Sequence, residues 1–187
     1  MLKKISLFSI ILLLISCSTV EFEQPVPNLG EKIIQFSSVE QGRYIGIENK
    51  DTLIIGSDYF IHSIDSKQRK KIVLADKNVV LKRFEGVYIL NVKSNDDSTW
   101  LALPLKITKK GLELYYLSLV SNKKNKKKKK KEEDKMFEKL QLITQVKEIK
   151  DSTNQIQTIL ISPNDDELRE LWKKGLFQLI LKYRKLP

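Results

Sequence analysis

The sequence predicts a mainly β protein with a small α part: an antiparallel meander closing into a barrel or curled sheet, with one short C-terminal helix. Three observations predict it. Between residues 43 and 117, short apolar-polar alternations recur every 8–12 residues, separated by polar turns of hairpin length. Leu101, Leu103, Leu105 and Ile107 share one strand face, which Leu112, Leu114 and Tyr116 continue across the turn at Lys109-Lys110-Gly111. Near the C-terminus, Ser162-Pro163-Asn164-Asp165 precedes an apolar stripe of Leu168, Leu171 and Trp172, which ends at Gly175.

The chain opens with a leader. Lys3 and Lys4 give a positive start, and residues 5–15 form an apolar stretch broken only by Ser6 and Ser9. A membrane-spanning helix needs ~20 apolar residues, so the stretch is too short to span and fits the core of a secretory signal peptide. Leu14-Ile15-Ser16-Cys17 then resembles the lipobox of bacterial lipoproteins: a branched apolar residue, a tolerant position, a small residue and cysteine. The resemblance implies cleavage before Cys17, a diacylglycerol thioether on its sulfur and usually an acylated amino group. Two or three long chains anchor stably where one does not, since each buried CH₂ contributes ~0.8 kcal/mol. Ser18 differs from the Asp that holds many such proteins in the inner membrane, which points to the outer membrane. Residues 1–16 are thus expected as signal peptide. Residues 17–30, with Pro25 and Pro27, are expected as the lipidated cysteine and an extended tether. The body is expected at 31–187.

Within that body the turns fall at 48–51, 66–70, 75–77, 94–97 and 109–111, with strands between them. Gly42-Arg43-Tyr44 and Gly86-Val87-Tyr88 repeat a Gly-x-Tyr pattern at the head of two strands, in keeping with a meander of similar hairpins such as a lipocalin-like barrel. The lysine-rich stretch at 122–135 is expected as a solvated loop. Residues 140–149 and 155–162 suggest two strands, although Met136, Leu140, Ile143 and Val146 also fall on one helical stripe. In the last helix, Ser162 is expected as the N-cap with Pro163 at the first helical position. Phe177, Leu179, Leu181 and Tyr183 then alternate as a closing strand. Acylated cysteine, tether, sheet-rich body, capped helix and final strand make a layout similar to small uncharacterised lipoproteins of the Bacteroidota, a resemblance that brings no activity with it.

Charge narrows the partners. The formal net charge is +11, and the eight lysines at 123–131 with the two of the leader account for all but one of it. A nucleic-acid reader spreads Lys and Arg along a groove and interleaves aromatics, so nucleic acid is not expected as a partner. The run reads first as a neutral low-complexity insertion, which slippage at adenine-rich codons would lengthen. The rival is an electrostatic contact with anionic lipid.

Candidate chemistry is sparse. With one His and one Cys, the chain forms no intrachain disulfide and no Cys/His zinc site. His62 lies on the face of Phe60 and Ile64 as a packed or rim residue, and no Gly-x-Ser-x-Gly elbow accompanies it. Asp96-Asp97 reads as a turn and Asp165-Asp166 as helix-start chemistry, since neither has calcium-loop spacing. Glu40 with Glu85, or Glu48 with Asp51, are the pairs from which a glycosidase-type carboxylate site would be built. Asp51-Thr52-Leu53, Asp97-Ser98-Thr99 and Asp151-Ser152-Thr153 resemble a short export O-glycosylation pattern and read more simply as turns. No phosphate loop or dinucleotide fingerprint is present, and no cofactor or metal is expected. The expected function is a non-enzymatic, membrane-anchored module that binds an envelope protein, a polymer or a small apolar ligand. The alternative is a small envelope hydrolase with a carboxylate site.

Overall fold

Period-two patterning and hairpin turns build most of the chain, as seen in a computed structural model that describes residues 19–64, 69–94, 98–119, 126–150, 152, 154 and 156–187. The strands before the lysine run are β1 (Thr19–Phe22), β2 (Lys32–Ile33), β3 (Gly42–Gly46), β4 (Thr52–Ile55) and β5 (Tyr59–Ser63). They continue with β6 (Arg69–Val73), β7 (Val79–Phe84), β8 (Val87–Lys93), β9 (Trp100–Ile107) and β10 (Gly111–Leu117). After them come α1 (Lys126–Ile143), β11 (Val146–Lys150), β12 (Ile156–Ile161), α2 (Asp165–Lys173) and β13 (Phe177–Lys185).

The main path of the sheet is an antiparallel curl in the order β7-β8-β9-β10-β13-β3-β4-β5-β6, with β2 added to β7. It forms the curled half-barrel that the turn spacing predicts. The closing strand inserts between β10 and β3, so the C-terminus ties the two hairpin sets together. A second branch leaves β9 at Trp100 and runs through β1 and β12 to β11. Its β1–β12 pair is parallel, a departure from the antiparallel rule.

Two cores follow from the two faces of this sheet. Inside the curl, Leu101, Leu103, Leu105 and Leu112 pack with Tyr44, Ile55, Phe60, Leu81 and Leu90. The face that the sequence marks as core is this one, and side chains fill it. On the other face Ile89 and Ala102 meet β1, β12 and both helices, through Val20, Phe22, Ile159, Leu140, Leu168 and Leu171. Strand β8 is therefore buried on both sides, and five successive residues from Val87 to Asn91 lose the alternation of a half-exposed strand.

Several expectations are corrected. Residues 19–30 are not a tether. Val20 and Phe22 are buried in β1, and Val26 is buried behind it. Asn91, fully enclosed, treats Val26 as a strand would: its Oδ1 accepts from the Val26 amide at 2.9 Å and its Nδ2 donates to the Val26 carbonyl at 2.8 Å. Further along, Asp165 accepts from the amides of Asn28 and Leu29, and Lys82 donates to the Pro27 carbonyl. The prolines suggested an extended chain, but the apolar alternation Val20, Phe22 decides its place in the sheet.

The loop expected at 122–135 is, from Lys126 onward, the start of α1, so the described residues hold two helices rather than one. Lysine has good intrinsic helix propensity, and Lys129 pairs with Glu133 one turn on. Residues 140–149 divide between the two readings. Met136, Phe137, Leu140 and Ile143 form a helical stripe on the outer core, and the strand begins at Val146. The α2 cap lies two residues later than expected. Asn164 Oδ1 accepts from the Asp166 and Glu167 amides at 3.0 and 2.9 Å, and the Glu167 carboxylate accepts from the Asn164 amide at 2.9 Å. This is a capping box, and Pro163 precedes it. Gly175 stops the helix as expected, at a φ of 69°. In β13 a bulge opposite Leu114 and Tyr115 breaks the alternation, leaving Leu179 and Ile180 exposed between buried Phe177 and Tyr183.

Candidate functional site

Cys17, the residue with the strongest sequence signal, lies outside the described residues, as do Asp96, Asp97 and the lysines at 123–125. The structure bears on Cys17 through its neighbour. Strand β1 begins at Thr19, so at most ~7 Å of backbone separates Cys17 from the sheet. No helix among the described residues is long and apolar enough to cross a membrane.

Asp51 and His62 come together, a pairing the sequence did not suggest. Strand β4 follows a turn that ends at Asp51, and β5 brings His62 beside it. His62 Nε2 lies 2.5 Å from Asp51 Oδ2, and the Tyr183 hydroxyl donates to the same oxygen at 2.7 Å. Tyr183 stands on β13, on the far side of β3. Asp51 reaches it over Gly46, where a Cβ would come within 1.9 Å of Asp51 Oδ1. Asp51 is 5 % exposed, and its Oδ1 has no hydrogen-bond partner among the described residues. Burial first, then the bond to Asp51, pushes the Tyr183 hydroxyl well above its ordinary pKa. The cluster fastens β4 and β5 to β13 in a buried setting. Glu48, the proposed partner of Asp51, is exposed on the preceding turn.

Glu40 gathers the two Gly-x-Tyr motifs. The Tyr88 hydroxyl donates to Glu40 Oε1 at 2.5 Å, and the Tyr44 hydroxyl donates to the Glu40 carbonyl at 2.5 Å. Ser37 adds its amide and hydroxyl, each at 2.9 Å, and Arg83 approaches to 3.7 Å. Partial burial acts to raise the Glu40 pKa. The bonds from Tyr88 and Ser37, with the Arg83 charge, outweigh it and hold the carboxyl below its ordinary value. Burial, then the Glu40 charge, pushes Tyr44 up to about 12. The echo of Gly-x-Tyr is thus a pair of tyrosines closing one end of the curl around Glu40. Both glycines have positive φ, which accounts for the residue type at each strand head.

The other carboxylates go elsewhere. Glu85 pairs with Arg169 at 2.9 Å, and Arg169 also binds Asp166. Asp165 and Asp166 sit in the first turn of α2, the chemistry the sequence predicts. Neither proposed glycosidase pair shares a partner, and Glu40, held low by its neighbours, is suited to staying ionised rather than to donating a proton. Thr52 of the first glycosylation triplet is half-buried within β4, paired with Ile45 and Ser63, rather than in a turn. Among the described residues, no group of three or more His, Cys, Asp or Glu side chains is placed to hold a metal ion. An open groove runs between α1 and α2, with Lys139, Leu142 and Ile143 facing Asp166, Glu170 and Lys174. In comparisons with protein-family models, curated proteins and solved structures, none matches this chain.

Proposed function

We propose that the chain is an envelope lipoprotein, held by lipid on Cys17 in the outer membrane, whose β half-barrel is a non-enzymatic binding or scaffold module. The observation that carries the reading is the leader: a charged start, a short apolar run and Leu14-Ile15-Ser16-Cys17. The position of β1 is in keeping with it, since Thr19, two residues after that cysteine, is paired in the sheet. The module half of the reading is supported by the state of the carboxylates. Asp51, Glu40 and Glu85 each have a partner within the domain, His62, Tyr88 and Arg169 in turn. Since apolar side chains fill the interior of the curl, the partner is a protein or envelope polymer met on the outer surface rather than a small ligand held inside.

Labelled fatty acid should enter the wild-type protein in the producing cell and be lost in Cys17→Ala. Equal labelling of the two would remove the anchor and the reading with it.

A further inference from the structure

We propose that the lysine-rich start of α1 is a second membrane contact, an arm that meets anionic headgroups of the bilayer in which Cys17 is anchored. The proposal rests on the lipid-anchor reading and deepens it by naming the surface that the domain meets.

The first observation is the shape of the arm. The outer core takes Met136, Phe137, Leu140 and Ile143 from α1. Residues 126–135 contain no apolar side chain, so ~15 Å of helix precedes the first of these contacts. At ~100° per residue, six consecutive residues take in every direction around a helix, and residues 126–131 are all lysine, so the sequence supplies no apolar stripe there. Lys130, Lys131 and Lys135 are exposed. The second observation is an electrostatic mismatch: no acid stands in the first turn of α1, and lysines occupy the end where the helix dipole favours anions. A surface of phosphates relieves both the dipole conflict and the mutual repulsion of the lysines. Their charge is also the bulk of the chain's net +11.

The test uses the full-length chain. Cys17→Ala protein is co-sedimented with vesicles of phosphatidylcholine alone, or with about one-third phosphatidylglycerol, at low and high salt. Anionic vesicles should bind about tenfold or more tightly at low salt, and the preference should vanish at high salt. Replacing all six lysines from Lys126→Gln to Lys131→Gln should remove the preference, and the corresponding Lys→Arg set should keep it. Should the Gln variant misfold, hydrogen exchange of the parent chain decides: amides 126–135 should slow with anionic vesicles only. A preference that survives the Gln set, no change in exchange, or capture by single-stranded RNA without discrimination between vesicles would each overturn the arm. Fatty-acid labelling of the unmutated chain reads the anchor separately, so failure of the arm leaves the anchor standing, and failure of labelling removes the anchor whatever the vesicles do.

Discussion

At Gly46 a single missing side chain lets Asp51 cross a strand to Tyr183. Gly46→Ala would drive a methyl into Asp51 Oδ1 and either break the His62–Asp51–Tyr183 cluster or displace β3. Overpacking of this kind costs about 1–3 kcal/mol, to be read from the denaturant midpoint. Tyr183→Phe keeps the ring and removes one donor from a buried carboxylate, at a cost of about 1.5–3 kcal/mol. Both variants losing under ~0.5 kcal/mol would mean that the cluster is not a fastening. Glu40 gives a pH signature. Its pKa is lower in the fold than its ordinary 4.5, so its stabilising effect is present above that value and is lost as pH falls below it. Glu40→Gln should therefore be less stable than wild type at neutral pH, with a gap that narrows as the solution is acidified below 4.5. A gap independent of pH would place the effect in lost packing. None of these contacts was legible in the sequence. Asp51, His62 and Glu40 stood out as residue types, but their partners lie on strands whose order depends on β13 inserting between β10 and β3. Local pattern carries no information on that insertion.

Elements with strong local signals were legible, and those set by tertiary contacts were not. Period two and turn spacing predicted β3 to β10, and the shared face of β9 and β10 is the inner core as expected. Strand β1 was missed because four residues between a leader and two prolines give too short a window for an alternation to register. What holds that segment is Asn91, a polar residue buried inside β8. Asn91→Ala leaves the Val26 amide and carbonyl without partners, at about 1–3 kcal/mol for each unsatisfied group. It should also open residues 23–30 to limited proteolysis in the folded protein; resistance equal to wild type would show that β1 alone fixes the segment. The α2 cap was legible as Asn164-x-x-Glu167, but the nearby Ser-Pro took precedence. Trp172 stacks edge-on against Tyr115 at 5.1 Å and tilts against Phe177 at 5.7 Å, so α2 grips the sheet through it. Trp172→Ala should cost ~3 kcal/mol. A loss under ~1 kcal/mol would make α2 peripheral to the outer core.

For the whole molecule, the shortness of the connection between Cys17 and β1 matters more than any one contact. A lipoprotein on a long tether samples a large volume, and its basic patches meet the membrane only occasionally. Here the segment expected as a tether is, from Thr19 to Phe22, a strand of the sheet, so a domain anchored at Cys17, as proposed, would be held close to the bilayer. On the proposed reading, anchor and arm would act as one bivalent contact, with the second step intramolecular. The strength of that step depends on linker length, which gives a test that alters neither Cys17 nor a lysine. Inserting about 20 Gly/Ser residues between Ser18 and Thr19 adds a coil of roughly 25 Å r.m.s. length. Effective concentration falls steeply with such length, so the lipidated insertion variant should lose much of the exchange protection at 126–135 on anionic membranes. Lipidation and thermal unfolding should stay as in wild type, because the insertion lies outside the sheet. Undiminished protection in the insertion variant would mean that the arm binds by its own charge alone, without help from the short connection.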